Sequence, residues 1–210
     1  MTTLTKEDRD SISPKKATQI LKDGNRRFIK NLKKNRNLLE QVNHTSGGQY
    51  PFAIILSCID SRTSAELIFD QGLGDIFSCR IAGNIINDDI IGSMEFACKV
   101  AGVKLIMVLG HTGCGAIQGA CDQIKMGKLS GLLNKIDPAL EKEKDTIDNR
   151  NSQNTKFVNN VATINVELVV SQITKESPII LDMLNNGEIA IAGGMYDVVT
   201  GIVEFKELVT

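Results

Sequence analysis

The chain has 210 residues, 42% of them hydrophobic, and 24 lysines and arginines against 25 aspartates and glutamates leave a formal net charge of −1. This length suits one domain with a real core, and the balanced charge excludes a dedicated nucleic-acid or membrane surface. Five unevenly spaced cysteines, no apolar leader and no run near the ~18 apolar residues of a membrane span imply a cytoplasmic protein with reduced thiols.

Ser13-Pro14 has the form of an N-cap followed by proline in the first helical turn. It opens a helix with the apolar stripe Ala17, Ile20, Leu21, Phe28 and Leu32. Basic residues gather between Lys15 and Arg36, which suits a solvated or subunit-contacting helix better than a nucleic-acid surface. We therefore divide the chain into an N-terminal helical arm, residues 1–45, and an α/β domain, residues 46–210. His44 to Gln49 reads as a polar loop, and Phe52 to Leu56 as a strand buried on both faces that ends at Ser57-Cys58. Thr63 to Glu66 has the spacing of a capping box, predicting a short helix over Leu67 to Phe69 that Gly72 and Gly74 terminate. A second strand runs from Ile76 to Ile81, with a turn at Gly83-Asn84.

Asp88 or Asp89 caps a helix carrying Ile90, Ile91, Met94, Ala97, Cys98 and Ala101, stopped by Gly102. Lys104 to Leu109 is a third strand, followed by a helix with Ile117, Ala120, Cys121 and Ile124. Glu141 to Lys156 reads as a polar loop, Phe157 to Ile173 as a long helix, and Ser177-Pro178 as the start of another. A turn at Asn185-Asn186-Gly187 leads to a fourth strand, Glu188 to Ala192, and Tyr196 to Phe205 form a hairpin across Thr200-Gly201. Short apolar strands alternating with helices define an α/β fold with a mainly parallel central sheet of about four strands.

Two clusters carry chemistry: Cys58-Ile59-Asp60-Ser61-Arg62 and Gly110-His111-Thr112-Gly113-Cys114-Gly115. Each follows a strand, and sites in such folds gather beyond the carboxyl ends of the strands. Two thiolates, an imidazole and a carboxylate form a zinc donor set, and three firm ligands with a labile fourth describe a catalytic site. Asp60 has two competing partners: it completes the ligand set, or it pairs with Arg62 and leaves the fourth position to water. Cys79, Cys98 and Cys121 read as small core residues, and His44 as exposed. Gly72-Leu73-Gly74 precedes a strand and is a turn, not a dinucleotide loop. A Cys58 nucleophile with His111 as its base would leave Cys114 and Asp60 without roles. A structural zinc would leave Arg62 idle.

On these residues the sequence resembles the beta-class carbonic anhydrases. The family pattern is Cys-x-Asp-Ser-Arg, then Arg-x-Ala-Gly-Asn, then Gly-His-(Ser/Thr)-x-Cys-Gly, and the chain supplies Cys58–Arg62, Arg80–Asn84 and Gly110–Gly115 in that order. Similarity runs from about Gln49 to Met126 and returns at Gly193 to Phe205. The resemblance implies one Zn2+ per chain on Cys58, His111 and Cys114, with Asp60 as fourth ligand or paired with Arg62 as a gatekeeper. It implies reversible hydration of carbon dioxide to bicarbonate by a zinc-bound hydroxide. Gln49 matches a glutamine that binds substrate or bicarbonate near the subunit interface, and Phe77, Ala82, Phe96 and Gly115 fall at substrate-side positions. Phe96 stands where many members have Tyr, and Ala82 where Val is common. The resemblance further implies an antiparallel edge strand, a homodimer or homotetramer, and an N-terminal arm embracing the partner. Carbon disulfide or carbonyl sulfide would suit the same site, and a non-catalytic zinc-stabilised module is a third reading. No proton shuttle stands out beyond His44.

Overall fold

Three apolar segments, β1 (Ala53–Ser57), β3 (Leu105–His111) and β4 (Ala190–Tyr196), are buried along their whole lengths, as unbroken apolar strands are when both sheet faces are covered. In the computed structural model, which describes residues 3–206 and 208–210, they form the middle of a sheet ordered β2-β1-β3-β4-β5, with β2 at Ile76–Arg80 and β5 at Val203–Phe205. Strands β1 to β4 are parallel, and β5 returns antiparallel to β4 through the expected hairpin, placing Tyr196 opposite Val203. The register sets Ser57 beside Leu109 and His111 beside Tyr196. Both motif clusters therefore leave the sheet at one end.

Helices cover the two faces. On one, Ile54, Leu56, Ile106 and Val108 pack with residues of α5 (Asp88–Glu95), α6 (Gly115–Cys121), α9 (Thr155–Glu176) and α10 (Pro178–Asn185). The approach of α9 is close. A Cβ on Gly110 would lie 2.6 Å from Val166 Cγ2 and 2.8 Å from Met195 Sδ. On the other face, Ile55, Met107 and Leu109 pack with α2 (Pro14–Ile29) and α4 (Ala65–Ile68). Ser13 caps α2 as its spacing predicts, accepting from the Lys16 amide. Ala17 and Leu21 are fully buried. Asn25 Nδ2 donates to the carbonyls of Ile68 and Gly201 while its Oδ1 accepts from the Val203 amide. This helix is thus seated on its own chain's sheet.

Several elements differ from the sequence reading, each for a local reason. Helix α2 ends at Ile29, so Leu32 lies beyond it and is exposed. His44 belongs to a helix, α3 (Leu38–Thr45), capped by Asn37. The Thr63–Glu66 capping box does not form, because the Thr63 hydroxyl is buried within hydrogen-bonding distance of the Cys58 and Asp60 carbonyls, and Ser64 precedes α4 without a side-chain cap. Asn87, one residue ahead of the expected aspartates, caps α5, whose continuation Phe96–Val100 widens into a π-helical turn. Gln123 takes a positive φ of 53° after α6, so Ile124 is outside the helix. Two further helices follow, α7 (Gly127–Leu133) and α8 (Asp137–Lys142). Strand β4 continues through Gly193-Gly194, where Val166 and Met107 leave no room for a side chain.

Candidate metal centre

Parallel strands β1 and β3 end side by side, so Cys58, one residue past β1, meets His111, the last residue of β3. Three residues on, Cys114 is the N-cap of α6. One ligand atom from each of Cys58, His111 and Cys114 lies within 4.8 Å of the others. The two sulfurs are 3.9 Å apart, and all three residues are at most 3% exposed. His111 Nδ1 lies 3.0 Å from the Thr112 carbonyl. Its Nε2 is buried with no hydrogen-bond partner among the described residues. A buried polar atom without a partner is open to a ligand such as a water or an ion, and an imidazole clustered with two sulfurs fits zinc's donor preference.

The electrostatics agree with that fit. Cys58 is drawn far below the ordinary thiol range by its contact with Cys114 Sγ, against desolvation, with help from His111 and the amides of Asp60 and Gly83. The same contact and burial push Cys114 upward. Two thiols in contact resist losing both protons, and a divalent cation bound between them would supply the positive charge that both thiolates need. By contrast, burial alone raises the Cys98 thiol to about 12, and chiefly burial raises Cys121 to about 11, as befits core thiols.

Asp60 stands with Arg62 in this structure, outside the three-atom cluster. Its Oδ1 accepts from the Arg62 amide and Nε, both at 2.9 Å, and its Oδ2 from Nη2 at 2.8 Å. The Arg62 guanidinium holds its carboxyl well below the usual carboxylate range, outweighing partial burial. Arg80 fixes the same loop from β2, donating to the carbonyls of Cys58 at 3.0 Å and Asp60 at 2.6 Å.

The remaining candidates divide by location. Ala82 lies in the turn whose Gly83 amide points at Cys58 Sγ, and Gly115 opens α6 next to Cys114. Phe77 and Phe96 pack on each other at 6.5 Å between ring centroids. They line a cavity of about 560 Å³ with Ile54, Cys79, Asp88 and Gly92, to which none of the three clustered residues contributes. Gln49 precedes β1 and lies beside Gly74, at the opposite end of the sheet. With β1 spanning about 13 Å, it is remote from its own chain's cluster. His44 shares that far end: α3 seats its Thr45 against Gly74, which removes it as a shuttle within its own chain.

Sequence reasoning passed over Thr63, Asn159 and Asn165. Asn159 Oδ1 accepts from the Gly113 amide, and Asn165 Nδ2 donates to the Gly83 carbonyl. Asn165 is marked in the sequence by its apolar neighbours Val161, Ala162, Ile164, Val166 and Val169, whereas Asn159, beside Asn160, carries no such signal.

The carbonic anhydrase family model matches residues 53–203. Carbonic anhydrase 2 of Mycobacterium tuberculosis is 35% identical over 192 residues, covering 90% of this chain and 91% of that protein. The beta-carbonic anhydrase CafA of Aspergillus fumigatus superposes with a TM-score of 0.69 at 26% identity, over 80% of this chain and 81% of that one. A structure of the tetrameric beta-carbonic anhydrases of Sordaria macrospora shares the fold at a TM-score of 0.67 and 24% identity, over 76% and 82% of the two chains. The chain belongs to the beta-carbonic anhydrase family. Among the described residues no helix is long and apolar enough to cross a membrane.

Proposed function

We propose that Cys58, His111 and Cys114 hold one zinc ion and that the protein uses it to hydrate carbon dioxide reversibly to bicarbonate and a proton. The observation that carries this reading is the unpartnered, buried His111 Nε2 beside two sulfurs 3.9 Å apart. Zinc supplies the Lewis acidity that makes water nucleophilic near neutral pH.

The protein's own groups then set the geometry. Asp60, held by three N–H donors of Arg62, stays ionised and accepts a hydrogen bond from the attacking water, fixing where its lone pair points. By holding the carboxylate, Arg62 would leave the fourth position of a bound metal to water, which makes the pair the gatekeeper. Ala82 and Gly115 border the ligands, whereas Phe77 and Phe96 line a cavity apart from them and carry no substrate role in this reading.

Gln49 reaches a site only from a second copy of the chain, so the working enzyme is a homodimer or a tetramer of such dimers. The relatives described as tetrameric favour this. So does the exposed apolar face of α3, where Leu38 is 56%, Leu39 77% and Val42 50% exposed. The N-terminal segment meets the partner with that face while α2 stays on its own sheet.

The test is stopped-flow carbon dioxide hydration by zinc-loaded protein at pH about 8.5, above the ~7 at which zinc ionises its water in a catalytic site. A fast rate that disappears on chelation is expected. No rate above buffer with zinc bound would overturn the reading in favour of a carbon disulfide or carbonyl sulfide hydrolase, or of a module without turnover.

A further inference from the structure

A relay of two hydrogen bonds connects the middle of α9 to the cluster. Asn165 is 3% exposed on the face of α9 that otherwise buries Val158, Val161, Val166 and Val169. Its Nδ2 donates to the Gly83 carbonyl at 2.9 Å. The Gly83 amide in turn donates to Cys58 Sγ at 3.4 Å. Gly83 holds a φ of 69° and Asn84 a φ of 42°, so two successive residues are left-handed. A Cβ on Gly83 would lie 3.0 Å from Ile136 Cδ1 and 3.4 Å from the Ala116 Cβ. Glycine and asparagine are the residues that adopt this conformation most readily, and Asn165 is the side chain that grips the turn from the helix.

We propose that Asn165 is a positioning residue for the metal centre: by holding the carbonyl of the Gly83–Asn84 peptide it fixes the backbone torsions of Gly83, and with them the preceding Ala82–Gly83 peptide, whose N–H is directed at the Cys58 sulfur. An N–H···S bond draws electron density from a thiolate and thereby limits how much negative charge the sulfur donates to the metal. In a site with two thiolates this limit matters, because each donated charge weakens the metal's action on water. Groups that orient metal ligands in this way commonly contribute 10–100-fold to metal affinity or activity. The inference rests on the reading of Cys58 as a metal ligand.

Asn165→Leu keeps the γ-branched shape with somewhat larger groups and removes the donor. Cobalt-substituted protein provides a readout independent of turnover, since sulfur-to-cobalt charge-transfer bands report thiolate ligation directly. The expected result is a red shift of those bands, an approximately tenfold loss of zinc affinity in chelator competition, and a displacement of the kcat–pH curve to higher pH with KM little changed. Val169→Ala, a truncation in the same buried face of α9, controls for lost stability and should move none of these. Asn165→Ala replaces the leucine variant if the latter does not fold. Bands and affinity identical to wild type in a folded Asn165 variant would overturn the proposal, as would an equal shift in Val169→Ala. Absence of sulfur-to-cobalt bands in the wild type would instead overturn the ligand reading on which it rests.

Discussion

Asp70→Asn should unfasten the N-terminal segment from the sheet without touching the metal cluster. The Asp70 side chain is 1% exposed and meets Arg27, itself 25% exposed, and Arg36, 11% exposed. Its oxygens also accept from the Lys34 amide, and Arg36 Nη2 reaches its carbonyl. Asp70 sits at a φ of 46°, a conformation that asparagine tolerates as well as aspartate does, so the substitution isolates the charge. Removing one member of a buried ion pair costs about 3–5 kcal/mol. Arg27 keeps some water and Arg36 keeps the carbonyl, which argues for the lower figure, about 3 kcal/mol, or roughly 6–12 °C in Tm at this chain length. The pH dependence has a definite sign. Burial raises the Asp70 carboxyl, but Arg27, Arg36 and the Lys34 amide outweigh it and leave it below its ordinary value. A depressed folded-state pKa stabilises above the unfolded value of about 3.9 and is lost as pH falls through the folded one. Urea unfolding should therefore separate wild type from variant fully at neutral pH, and the curves should converge below pH about 4. A difference under about 1 kcal/mol, or one that persists unchanged in acid, would refute the buried-clasp account.

Asp60→Ala is expected to retain stoichiometric zinc and lose turnover by about a hundredfold or more, measured by metal analysis and stopped-flow hydration. Near-wild-type activity would remove Asp60 from the gatekeeper role. Cys114→Ser should strip the metal, because a buried hydroxyl replaces one of two thiolate donors; a variant that keeps one zinc per chain would take Cys114 out of the ligand set. Gly110→Ala should lower stability by about 1–3 kcal/mol, since its Cβ would press 2.6 Å from Val166 Cγ2, and a thermal melt unchanged within error would contradict the close helix–sheet approach.

What the sequence displayed in advance was local. The apolar runs of β1, β3 and β4 could be covered only on both faces, and the clusters at Cys58 and His111 followed two of them directly. Their meeting is a consequence of parallel pairing, which brings strand ends together whatever lies between them in the chain. Elements whose pattern is completed by distant partners were harder to see. Helix α3 buries Gln41, whose Oε1 accepts from the Leu73 amide, and exposes Leu38, Leu39 and Val42. Its polarity is inverted relative to a helix that packs on its own core. Gly193 and Gly194 looked like chain breakers because the pressure of Val166 and Met107 on them is invisible in one dimension. Thr63 fitted a capping box equally well as spacing, and lost that role to two carbonyls of the ligand loop.

The same contrast bears on how such a centre should be read. The donor atoms stand in two short motifs that parallel strand pairing brings together. The hydrogen bonds that hold the adjoining turns come from far along the chain: Asn165 donates across 82 positions to Gly83, and Asn159 accepts across 46 from Gly113. Asn165 is buried on a helix face that otherwise packs valines against the sheet, where a polar group is disfavoured unless it has a partner. A buried-face asparagine in a helix packed over strand ends is therefore a pointer toward the site, legible in sequence once the apolar stripe around it has been recognised. The cobalt spectrum of the Asn165 leucine variant is the measurement that distinguishes orientation of a ligand, as proposed, from the packing of a helix.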